Sequence, residues 1–65
     1  MTEAEYTRRI DALITERDAL WERYDGLVAA HGVWSNEAET ALVAASRAED
    51  AVQATAREWL RELES

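Results

Sequence analysis

Asp11, Asp18 and Asp25 recur every seven residues with Glu22 among them, and carboxylates gathered in this way are the usual raw material of acid/base chemistry or of hard-metal binding. Seven-residue spacing sets such a row along one side of a helix, with about 10 Å between successive members. Acid/base work needs a desolvated pocket that drives two carboxyl pKa values apart, and a short helical chain offers little concave surface for one. The row formed by Asp11, Asp18, Glu22 and Asp25 is therefore expected to be a solvated acidic surface.

The other candidates for chemistry are fewer. His31 is the single histidine, and no glutamate stands three residues before it, as the Glu-x-x-His ligand pairs of a di-metal bundle would require. There is no cysteine, which removes disulfides and the usual zinc ligand sets. No serine or threonine is paired with a histidine in the manner of an activated nucleophile, and Gly32 is isolated rather than part of a phosphate-binding loop. The expectation is a protein that is not an enzyme, with no catalytic residue, no metal and no cofactor.

The elements that carry these residues are helices. The 65 residues include no proline and only two glycines, and 48% are hydrophobic, too apolar a composition for a disordered chain despite a net charge of −7. That negative balance repels phosphate backbones and anionic lipid surfaces, so direct nucleic-acid binding and membrane association are not expected. The opening Met-Thr-Glu-Ala-Glu-Tyr-Thr-Arg-Arg is not a basic segment leading into an apolar core, and a cytoplasmic protein is expected. All seven basic residues are arginine, which fits coding by a GC-rich genome, bacterial or bacteriophage.

Thr2 and Glu5 form a capping pattern, so a first helix is expected over about residues 3–31. Its apolar seam runs through Tyr6, Ile10, Leu13, Leu20, Tyr24 and Leu27 with Arg17 in the missing place, and Ile14, Trp21 and Val28 lie one residue beyond it. Gly32 suits the left-handed position past a helix end, with Val33 returning to Val28 in a Schellman motif. After a turn over about 32–35, capped by Ser35 or Asn36, a second helix is expected over about 36–63. Its seam reads Ala38, Leu42, Ala45, Glu49, Val52, Ala56, Trp59 and Leu63, flanked by Ala41, Ala48 and Leu60.

A short connection makes the two helices antiparallel neighbours, giving an all-α two-helix hairpin of coiled-coil type as a single domain over residues 1–65. The expected register sets Leu27 near Leu42, Tyr24 near Ala45, Leu13 near Ala56 and Ile10 near Trp59. Arg17 and Glu49 sit at core-type positions about one turn apart. Two readings are open for them: an ion pair that sets register, or side chains that reach out to the rim. Trp59 is expected in the core against Ile10 and Tyr6. Trp21 and Trp34 are either covers for the open edges of the hairpin or anchors for a partner.

A chain of this size buries a modest core, and oligomerisation is the remaining way to complete it. The leading expectation is a protein–protein interaction module, most simply a homodimer forming a four-helix bundle, with Ile14, Trp21, Val28, Trp34, Ala41 and Ala48 at the interface. The alternative is a small acidic inhibitor, for example phage-encoded, that occupies a basic surface on a heterologous protein partner.

Overall fold

The computed structural model describes residues 1–65 as two long helices, α1 (Glu3–His31) and α2 (Asn36–Glu64), folded side by side into an antiparallel hairpin. It measures 47 × 16 × 10 Å. The fold is all-α, as the composition and the seven-residue patterning require.

Each helix starts where its sequence provides an acceptor. The Thr2 hydroxyl accepts from the Glu5 N–H at 3.1 Å, and Glu3 and Glu5 place negative charge against the positive end of the α1 dipole. The Ser35 hydroxyl accepts from the Ala38 N–H at 3.1 Å, with Glu37 and Glu39 in the first turn of α2. Between them the chain reverses in four residues.

That reversal differs from the expected Schellman motif. Gly32 lies at φ 93° and ψ 153°, outside the left-handed helical basin and in a region that only glycine enters easily. Its N–H closes the last turn of α1 on the Val28 carbonyl at 2.8 Å, while Val33 makes no return bond and stays half-exposed. The Gly32 carbonyl instead accepts from both the N–H and the hydroxyl of Ser35, at 3.2 and 2.8 Å. Ser35 thus ties the turn on one side and caps α2 on the other, with Gly32 at positive φ between the two helices.

A Cβ at Gly32 would meet no atom within 4 Å, so a substitution there tests backbone conformation alone. Gly32→Ala is expected to cost about 1–3 kcal/mol of stability. Gly26, exposed within α1 and equally free of neighbours, gives the opposite sign: Gly26→Ala should stabilise by about 0.5–1 kcal/mol. Urea titrations followed by circular dichroism measure both, and similar effects from the two changes would contradict this account of the turn.

The contact between the helices is built on small residues. Only Ala38, Ala41, Ala45 and Thr55 are buried, all on α2, and no residue of α1 is fully enclosed. The inner row of α2 therefore runs Ala38, Ala41, Ala45, Ala48, Val52, Thr55 and Trp59, in steps of three and four. This corrects the expected seam. Leu42 and Leu63 are 39% and 63% exposed, and Ala41, Ala48 and Thr55 stand in the inner row in place of the expected Leu42, Glu49 and Ala56. An alanine row allows the closest approach of two backbones, so α2 turns its alanines to α1 and its leucines to the edge.

Trp59 stacks on Tyr6, one of the two partners expected for it, with ring centroids 5.0 Å apart and planes within 11°. At the open end of the hairpin the Met1 amino group donates to the Glu62 Oε1 at 2.9 Å. That hydrogen bond, and then the charge of Glu62, raise the pKa of the amino group above its ordinary value against a smaller opposing effect of desolvation.

Candidate interaction surface

Two parallel helices leave two broad faces, and a groove near the turn shows which rows share each of them. Leu20, Arg23 and Leu27 of α1 line this open groove together with Glu37, Thr40, Ala41 and Ala44 of α2. Arg23 therefore lies on the same face as Glu37 and Ala44. On α1 the row Ile14, Trp21 and Val28 stands on the opposite side of the inner seam from Arg23. On α2 the row Leu42, Glu49, Ala56 and Leu63 stands on the opposite side from Glu37 and Ala44. These two rows consequently form the second face.

The second face is the apolar one. Ile14, Trp21 and Val28 are half-buried at its α1 margin, and the Trp21 ring meets Tyr24 edge-on at 5.8 Å, which fixes its orientation. Leu42, Leu60 and Leu63 contribute from α2, each at least 39% exposed. The turn adds Val33 and Trp34, the latter 95% exposed and packed against nothing. Asp11, Asp18 and Asp25 stand three residues before Ile14, Trp21 and Val28, so the exposed acidic row borders this face; Glu22 is exposed beyond it.

Two residues expected at an interface lie elsewhere. Ala41 is buried beneath α1 and Ala48 is half-buried in the same inner row, so both serve the intramolecular contact. Sequence spacing alone could not separate the rows beginning at Ala41 and at Leu42, because both repeat every seven residues. Burial separates them, and it moves the large side chains to the surface.

Arg17 and Glu49 meet across the helices, Arg17 Nε lying 3.4 Å from Glu49 Oε2. Both remain about one-quarter to one-third exposed, and Arg17 also holds the Asp18 Oδ1 through Nε and Nη2 at 3.2 and 3.0 Å. The pair forms, yet at the rim and shared among three groups. In that setting it is worth about 0–1 kcal/mol. Its consequence is local: it keeps a core-type arginine from standing alone among apolar side chains.

No group of three histidine, cysteine, aspartate or glutamate side chains is placed to hold a metal ion, and no helix is long and apolar enough to cross a membrane. The chain matches no protein-family model, and comparison with curated proteins and with solved structures finds no match.

Proposed function

We propose that this chain is a non-enzymatic protein–protein interaction module whose first partner is a second copy of itself, two hairpins stacking their apolar faces into a four-helix bundle. The observation that carries the reading is the size of the hairpin's own core, three alanines and a threonine, with no large side chain fully buried. Alanine contributes little apolar area, and a fold of this size needs most of its large side chains covered to offset the entropy of ordering them. Ile14, Trp21, Val28, Leu42 and Leu63 supply the missing area on one face, and a symmetric dimer covers that face with its own copy.

Light scattering coupled to size exclusion tests this directly. Over tens of micromolar the molar mass is expected to be twice that of the chain and to fall on dilution, with helicity falling alongside it because association and folding are linked. A mass of one chain with full helicity throughout the series would sink self-association. Such a result would leave the acidic row of Asp11, Asp18 and Asp25 as the guide to a basic heterologous partner.

A further inference from the structure

Self-pairing of this face admits two orientations, and the ends of the hairpin differ enough to choose between them. Between Arg23 and Arg47 the only carboxylates are Asp25, Glu37 and Glu39, with no arginine among them, so the turn end of the molecule is net acidic. The open end carries Arg8, Arg9, Arg57 and Arg61 among its glutamates. None of these four arginines lies within ion-pair distance of a carboxylate; Arg17 is the one arginine that does. The two ends are separated by most of the 47 Å length, several Debye lengths of about 8–10 Å, so they cannot satisfy one another within one chain.

The apolar surface is divided in the same way. The turn presents Trp34, 95% exposed, while the open end presents Leu60 and Leu63, both more than half exposed. A dimer with both turns at one end would bring like acidic ends together and keep each Trp34 away from the Leu60 and Leu63 of the other copy. Reversal puts each acidic turn beside a set of unpaired arginines and each Trp34 beside leucine side chains.

We propose that the second copy lies antiparallel to the first, the Trp34 turn of each hairpin seated against the Leu60 and Leu63 end of the other. This rests on the self-association argued above and adds its geometry. A two-fold axis perpendicular to the helices generates it, setting α1 on α1 and α2 on α2. Along α1 the axis passes between Ile14 and Trp21, so that the larger side chain of each copy packs on the smaller one of the other. Glu39 then approaches Arg57 of the second copy.

The chain has no cysteine, so single cysteines report the orientation without interference. Asn36→Cys marks the turn end and Glu64→Cys the open end, both at exposed positions. The two variants are mixed in equal amounts at a concentration where light scattering shows a dimer, and are then treated with a short bis-maleimide. The expected product joins position 36 to position 64, exceeding the like-with-like products about tenfold because only that pair shares a high effective concentration. Predominant 36-to-36 and 64-to-64 products, or a statistical mixture, from chains of dimeric mass would overturn the antiparallel arrangement while leaving self-association standing. Single-chain mass would remove both.

A charge exchange provides the second measurement. Arg57→Glu is expected to raise the dimer Kd about fivefold at low salt, and adding Glu39→Arg in the same chain to recover most of it. Circular dichroism at high protein concentration confirms that each variant folds. Recovery absent from a folded double variant counts against the arrangement as firmly as the wrong cross-link does.

Discussion

Ala45→Asp is expected to abolish the hairpin, reducing the far-ultraviolet helical signal to that of a largely unfolded chain at concentrations where the parent is folded. Ala45 is fully buried in the inner row of α2, against α1. An aspartate there has two courses, and both are costly. It can stay buried and charged in a row of small apolar side chains, or it can force the helices apart and expose the contact that makes the fold. An uncompensated buried charge costs about 3–5 kcal/mol. A domain this small has about that much stability in total, so the loss removes the fold rather than weakening it. Ala54→Asp is the control, because Ala54 is exposed on the outer side of the same helix. It should change stability by about 0.5 kcal/mol or less. A folded Ala45→Asp chain with unchanged helicity would show that the alanine row is not the contact surface.

The same alanine row marks where sequence reasoning succeeds and where it stops. Thr2, Gly32 and Ser35 announce the helix ends because capping chemistry is local: a hydroxyl three residues before an N–H, or a glycine where φ must be positive, involves no distant partner. The seam of α1 was legible for a related reason, since its large residues leave one choice of inner face. On α2 the rows beginning at Ala41 and Leu42 have the same period, and hydrophobicity favours the leucine row. Close approach of two helices favours the alanine row instead, and that is a property of the pair rather than of either sequence. The form of the turn has a similar origin: it depends on a positive-φ Gly32 whose carbonyl is held by Ser35, which a period of seven does not encode.

The misplaced leucine row also changes which residues matter to function. Read as core, Leu42 and Leu63 leave Ile14, Trp21 and Val28 as a narrow margin on one helix. Read as surface, they extend that margin into a face spanning both helices, with Trp21 oriented by its edge contact to Tyr24. The aspartate row that borders this face then gains a second meaning. In the proposed dimer Asp11, Asp18 and Asp25 would form a charged rim, which raises the cost of an incorrect pairing more than it raises the affinity of the correct one.

Trp21→Ala should therefore separate folding from association. Within one hairpin Trp21 is half-buried and touches Tyr24 at its edge, so truncation removes part of one aromatic contact and is expected to cost the isolated hairpin about 1 kcal/mol. Within the dimer it would be a central aromatic anchor, and loss of such a side chain costs about 2–4 kcal/mol of binding free energy, or about 30- to 1,000-fold in Kd. Sedimentation equilibrium across a concentration series measures the Kd, and circular dichroism of the same samples reports the fold. Trp34→Ala sharpens the comparison: at 95% exposure the ring contributes almost nothing to the hairpin, so any weakening of the dimer arises from the interface alone. Two tryptophan variants that associate as tightly as the parent would show that the apolar face is not the self-association surface, and a weakened dimer with intact helices would show that it is.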